Sequence, residues 1–283
     1  MLKQRVITAV VLLLVLLPAL FYPSSWPFSV VAMVLISLAA WEWARLNSFA
    51  GVRAVAAGVC CFALCGLAWW SGWLLDPGRF KSVWIFAGAF WVMGGAWLLR
   101  AGVNRWSKIS APLRLAAGVG LLGLAWLAVC QARVVGINFL LSILLLVWVA
   151  DIFAYFAGRT FGGKFSKGKL APAISPGKSW EGVWGGMAGV AVLAFVWHWA
   201  DQAFATSSPS IYSHLAERGG WFVLLSVLFL AAMSVVGDLV ESLVKRSASV
   251  KDSSGLLPGH GGVLDRLDAL LPTLPLAMML YTV

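Results

Sequence analysis

The sequence predicts an all-α, polytopic integral membrane protein of about nine transmembrane helices, with the N-terminus cytoplasmic and the C-terminus on the outer side. Three observations carry that expectation. Of 283 residues, 61% are hydrophobic and only 11% charged, whereas a soluble domain carries roughly a quarter charged. Nine stretches approach the roughly 20 apolar residues that a helical crossing needs. Basic residues also alternate in density from loop to loop, as cytoplasmic and outer loops do. The 29 glycines and 17 tryptophans fit helices packed closely in lipid, with indoles at the interfaces.

In chain order the stretches are 6–22, 27–44, 54–75, 82–99, 113–131, 135–156, 182–200, 220–240 and 263–282. The first follows Met1-Leu2-Lys3-Gln4-Arg5 and looks signal-like, but no small-residue cleavage site comes after it, so it reads as a span. The last is weakened by Asp265, Arg266 and Asp268 at its start. With the N-terminus cytoplasmic, only Arg79, Lys81, Arg133 and Arg218 of the 21 Lys and Arg fall on outer loops. The rest, Lys167 included, lie on the cytoplasmic side or its edge. The net charge of +10 therefore reflects topology, and secondarily anionic headgroups or a phosphate-rich substrate, rather than nucleic acid. Cys60, Cys61, Cys65 and Cys130 sit in apolar runs without metal or disulfide spacing and read as packing residues.

Up to about residue 148 the helices carry almost nothing ionisable except Glu42. Three regions follow: N-terminal helices over 1–110 as scaffold, middle helices over 111–158, and a working region with cytoplasmic loops over 159–283. The sixth stretch ends in Asp151, and a carboxylate there is costly unless it is paired or faces a polar cavity. It is either a functional group or an interfacial anchor for Arg159. The loop that follows, through Ser175-Pro176-Gly177-Lys178-Ser179-Trp180-Glu181-Gly182, combines basic residues, glycines and hydroxyls suited to phosphate. Any cytoplasmic loop is also basic. Ser179 or Ser175 fits an N-cap, with Glu181 in the first helical turn. Gly182, Gly185, Gly186 and Gly189 give two GxxxG spacings for close helix packing. Asp151, Ser175, Lys178, Ser179 and Glu181 are the candidate substrate-binding residues.

On one helix, Asp238, Glu241, Ser242 and Lys245 are spaced i, i+3, i+4, i+7 and share a face. Such a stripe suits a divalent cation and a phosphate better than lipid. An intrahelical Glu241–Lys245 pair is the simpler alternative. Lys251 and Asp252 follow, and then His260 among Gly259, Gly261 and Gly262. Asp265 and Asp268 again stand i, i+3, either as favourable charges at a helix start or as a hard-cation site.

The run Ser242-Leu243-Val244-Lys245-Arg246, Lys251-Asp252, Pro258-Gly259-His260-Gly261-Gly262, Asp265-Arg266-Leu267-Asp268 resembles the 27-residue signature of the phosphatidate cytidylyltransferases (CDP-diacylglycerol synthases) without departure. Ser175 to Gly182 resembles a second family segment, with Ser179 where Thr is usual. The resemblance implies the reaction of CTP with phosphatidic acid to give CDP-diacylglycerol and pyrophosphate, dependent on Mg²⁺ and open to a second cation. It also implies a likeness to homodimers, for which the middle helices are the expected contact, and a bacterial inner membrane with the site facing the cytoplasm. Asp238 and Asp265 are expected to hold Mg²⁺, with Glu241 and Asp268 in support. Lys245, Arg246, Lys251 and Arg266 are expected on phosphates, and Asp252 and His260 as orienting groups. Ser242 is expected as a ligand or hydrogen-bonding group, since the lipid phosphate is itself the nucleophile. The chemistry agrees independently: two anions repel unless cations neutralise both, so catalysis should rest on positioning and charge stabilisation. A polyprenol or phytol kinase-like enzyme, or an archaeal-type lipid cytidylyltransferase, would share such a site. A transporter would place its ionisable residues at mid-depth in paired repeats, which this sequence lacks.

Overall fold

The computed structural model describes residues 2–166 and 168–283; Lys167 lies outside the described residues. Among these, eight helices are long and apolar enough to cross a membrane. They include α1 (Leu2–Phe21), α2 (Trp26–Leu46) and α3 (Val52–Trp70). The fourth, Pro77–Ala101, is assembled from a 3₁₀ turn, α4 (Lys81–Ala89), a π-helical turn at Phe90–Gly94 and α5 (Gly95–Ala101). After the short α6 (Val103–Trp106) come α7 (Ala111–Val135), α8 (Ile137–Phe161), α9 (Trp180–Ala203), the short α10 (Ile211–Ala216) and α11 (Gly220–Ser247).

Three expectations need correction. The all-α reading misses a hairpin, β1 (Lys169–Ala171) antiparallel to β2 (Ser175–Ser179), with Lys169 opposite Ser179 and Ala171 opposite Ser175. The sixth stretch does not end at 156, because Ile152 to Phe161 continue the helix until Gly162, which leaves Asp151 well inside α8. The stretch 263–282 is not one helix. It breaks into α12 (Leu264–Leu267) and α13 (Leu270–Thr282), with Asp268 accepting from the N–H of Ala269 at 2.7 Å in the break.

Glycine spacing sets the tightest packing. A Cβ on Gly185 would lie 2.2 Å from the Ala157 Cβ, and one on Gly189 would lie 2.4 Å from the Phe153 ring. α8 and α9 therefore meet along the predicted GxxxG face. Cys61, Cys65 and Cys130 are buried and free, and Cys60 is exposed on α3.

The bundle has two chemically distinct ends. At one, Arg5 Nε donates to the Gly259 carbonyl at 3.0 Å and Thr8 Oγ1 to the Pro258 carbonyl at 2.9 Å. At the other, buried Arg133 donates to the carbonyls of Leu20 (2.9 Å) and Tyr22 (2.7 Å), closing the far end of α1. There too, Asp201 accepts from Asn138 Nδ2 and the Ser210 N–H, both at 2.8 Å, and from Ser213 Oγ at 2.6 Å, stitching the α9–α10 loop to α8. His198, on the same end, contacts Ser213 Oγ at 3.0 Å.

Candidate active site

Every polar residue of the signature lies at the Arg5 end, where α8, α9 and α11 finish or begin beside the hairpin and the Ser253–Asp268 segment. α11 supplies the expected stripe. Lys178, at the end of the hairpin, ion-pairs with Asp238. Lys245 ion-pairs with Glu241, one turn earlier on the same helix, and donates to Asp265 Oδ1 at 2.7 Å. The intrahelical Glu241–Lys245 pair is present and extends to Asp265. Ser242 Oγ donates to Asp238 Oδ1 at 3.3 Å, joining the hydroxyl to the cluster.

Asp265 is fixed from several sides. Besides Lys245, it accepts from the Ser253 N–H (2.9 Å), Ser253 Oγ (2.9 Å) and the Gly262 N–H (2.8 Å). Burial works against its ionisation, yet hydrogen bonds led by Lys245 and Gly262 hold its carboxyl at about 2. Asp268, which precedes α13, is pushed up to about 7 by burial first and by Asp238 second. The two come close because Gly237 has no side chain. A Cβ there would lie 2.4 Å from the Asp268 carbonyl oxygen.

A cleft of about 410 Å³ opens on one side of the cluster, lined by Asp151, Tyr155, Arg159, Lys178, Ser179 and Asp238, with Ala154, Val183 and Val235 as apolar wall. Asp151 therefore faces a polar cavity rather than anchoring Arg159. Arg159 donates instead to the Tyr155 hydroxyl at 2.9 Å. A second cleft of about 580 Å³, lined by loop residues, holds Arg5, Lys251, Asp252, His260 and Arg266. Gly259 and Gly261, at φ +78° and +85°, take the left-handed conformation that bends this loop. Arg266 donates to the His260 carbonyl at 2.8 Å.

Other expected residues hold the hairpin. Ser179 Oγ accepts from the Gly182 N–H at 3.2 Å and caps α9 as its spacing predicts. Glu181 turns inward, accepting from the N–H groups of Phe165 (3.1 Å) and Ser166 (2.7 Å) and from Ser166 Oγ (2.8 Å). Arg246 donates to the Ile174 and Val250 carbonyls, both at 3.3 Å, latching the hairpin turn to the end of α11. Ser175 lies in β2, on the strand that carries Lys178.

The donor set suits a magnesium ion. Mg²⁺ is held by one or two carboxylates and completes its octahedron with waters and substrate phosphates. Among the described residues no three His, Cys, Asp or Glu side chains form a metal-holding group. Asp238 has one lysine and one hydroxyl as partners, and Asp268 lies close enough to feel the Asp238 charge. Such an ion would rest on one or two of these carboxylates together with phosphate oxygens.

Sequence reasoning missed two residues that build this end. Arg5 contacts the His260 loop but carries no signal that sets it apart from other basic residues at a membrane edge. Glu42 does carry one: it is the lone carboxylate of the N-terminal helices.

At one end of the bundle, lysine–carboxylate pairs lie beside a cleft of mixed charge, with a basic cleft on the neighbouring loop, an arrangement suited to phosphorylated substrates. Residues 3–283 match the cytidylyltransferase family. The chain is 38% identical to a phosphatidate cytidylyltransferase of Pseudomonas aeruginosa, over 97% of this chain and 95% of the relative. It is 37% identical to that of Haemophilus influenzae over 99% of each, and 35% identical to that of Brucella melitensis over 99% of this chain and 92% of the relative. The chain belongs to the cytidylyltransferase family and is an integral membrane nucleotidyltransferase.

Proposed function

We propose that the protein transfers cytidylyl from CTP to phosphatidate, giving CDP-diacylglycerol and pyrophosphate with Mg²⁺, in phospholipid biosynthesis. The observation that carries this reading is the Asp238–Lys178 and Lys245–Asp265 pairing at the end of the bundle that also holds a cleft of mixed charge and a basic, loop-lined cleft. The cleft beside α8 and α9 has an apolar wall that a lipid headgroup can enter from the bilayer, so it takes phosphatidate. The loop-lined cleft with Lys251, His260 and Arg266 takes the nucleotide.

A phosphate oxygen of the lipid attacks the α-phosphorus of CTP, the bond from α-phosphorus to the bridging oxygen breaks, and pyrophosphate leaves. Lys178 and Lys245 carry ammoniums that exchange from carboxylate to phosphate and bring the two anions together. Arg266 and Lys251 hold charge on the leaving side, while Asp252 and His260 orient their neighbours. Asp238 and Asp265, with Glu241 and Asp268 in support, would hold Mg²⁺, alone or with a second cation, to offset charge between the phosphates. Ser242 fixes Asp238 and attacks nothing.

The placement follows the same logic. CTP is a cytosolic metabolite, so the Arg5 end faces the cytoplasm of a bacterial inner membrane. α13, at 13 residues, falls short of the eight longer helices, and we read it together with α12 as the ninth crossing because it starts beside this end while Tyr281 near its finish packs against Phe139, with ring centroids 5.0 Å apart, at the opposite end. On this reading the chain runs N-in, C-out. A homodimer in the bilayer completes the assembly. The test is pyrophosphate release by the purified protein given CTP, Mg²⁺ and phosphatidate. Release that depends on the lipid is expected, and release indifferent to it contradicts the reading.

A further inference from the structure

Glu42 lies near the end of α2, in the scaffold half, and is fully buried. Its carboxylate accepts from groups more than 200 residues away. Ser253 Oγ (3.2 Å) and Ser254 Oγ donate from one end of the signature loop; the N–H groups of Val263 (3.0 Å) and Leu264 (2.7 Å) donate from the other. Gly262 lies against it so closely that a Cβ would stand 2.5 Å from Glu42 Oε1 and 2.0 Å from Ser253 Oγ. Ser253 Oγ also lies 2.9 Å from Asp265 Oδ2, and its single proton serves one carboxylate or the other, so one hydroxyl separates Glu42 from the Lys245 network. An isolated carboxylate in an apolar helix is a costly way to pack two helices, and an aliphatic side chain would pack as well. What the carboxylate does here, and an aliphatic group cannot, is gather four donors from both ends of one loop.

We propose that Glu42 is a positioning residue for the reaction: it clasps both ends of the Ser253–Leu264 segment and sets the loop that presents His260 and Arg266 to the nucleotide. This rests on the cytidylyl-transfer reading for its kinetic consequence, though not for the clasp. Glu42 touches no reacting atom. Its influence passes through the Val263 and Leu264 backbone, and through Ser253 to Asp265.

Glu42→Gln keeps the size but turns an N–H₂ toward backbone donors that need an acceptor. In the full-length protein, hydrogen exchange across 253–265 should quicken about tenfold or more while the other helices keep their protection. The KM for CTP should rise about fivefold or more with the KM for phosphatidate within about twofold, a split that a smaller folded fraction does not produce. Unchanged exchange overturns the clasp, and quickened exchange with an unchanged CTP KM overturns the positioning role. If Glu42→Gln does not accumulate, Ser254→Ala removes a single donor to the same carboxylate. The same two changes at smaller size are then expected, and their absence overturns the proposal. A parent protein that consumes no CTP with phosphatidate defeats the functional reading alone, and the exchange measurement still decides the clasp.

Discussion

Asp238 and Asp265 carry similar charge but different company. Asp238 has Lys178 and Ser242 as partners, whereas Asp265 is gripped by Lys245, two backbone N–H groups and a hydroxyl. Asp238→Asn keeps the shape and removes the charge, so turnover should fall by about two orders of magnitude or more, roughly 3 kcal/mol of transition-state stabilisation. The thermal midpoint in detergent should stay near the parent's. Asp265→Asn should lose as much turnover, and the double variant should be little worse than either single one, because the two act as a unit. Steady-state assays of all three, beside melting curves, check this; a fully active Asp238→Asn protein would remove that carboxylate from the mechanism. The stripe of Asp238, Glu241, Ser242 and Lys245 was legible because helical spacing alone puts it on one face. Its partners were not. Lys178 stands 60 residues from Asp238 and Glu42 stands 212 from Ser254, and no local pattern encodes such pairings.

At the scale of elements, the α8–α9 pair forms one wall of the cleft that holds Asp151 and Lys178, and glycine is what lets the pair close. Gly185→Ala places a methyl 2.2 Å from the Ala157 Cβ, so the helices must separate. Overpacking of this kind costs about 1–3 kcal/mol. The thermal midpoint should drop, and lipid-dependent activity should fall with it because Asp151 and Lys178 sit on either side of the joint. A midpoint equal to the parent's would show that the pair is looser than described. This packing was readable from the two GxxxG spacings. The extent of α8 was less so, because Asp151 looks like a boundary in a hydropathy trace although Ile152, Phe153 and Tyr155 carry the helix onward. The break before α13 was hidden for a related reason. It depends on Asp265 being held by Lys245 and Ser253 and on Asp268 bonding the Ala269 N–H, while the stretch itself is apolar enough to read as continuous.

For the whole molecule, the two ends of the bundle make a claim about sides. Lys164 lies at the site end, and Arg218 follows α10 at the other. In a background lacking the four native cysteines, Lys164→Cys should react with impermeant thiol reagents only once the cytoplasmic face is exposed. Arg218→Cys should react in intact cells. The opposite pattern would place the clefts away from CTP. The alternating density of Lys and Arg is what predicts this sidedness, since topology follows charge in short loops. What charge density does not reveal is that the scaffold half takes part in the site through Arg5, Thr8 and Glu42.

Transfer of a cytidylyl group, as opposed to a phosphoryl group, is the central claim, and the position of label in CTP decides it. The purified protein is given phosphatidate, Mg²⁺ and CTP labelled at either the α- or the γ-phosphorus, and the lipid is then extracted. α-Label should move into the lipid phase in step with pyrophosphate, while γ-label should stay in the aqueous phase. γ-Label recovered in lipid, with the α-label left in water, would make the protein a CTP-dependent lipid kinase and contradict the cytidylyl-transfer reading.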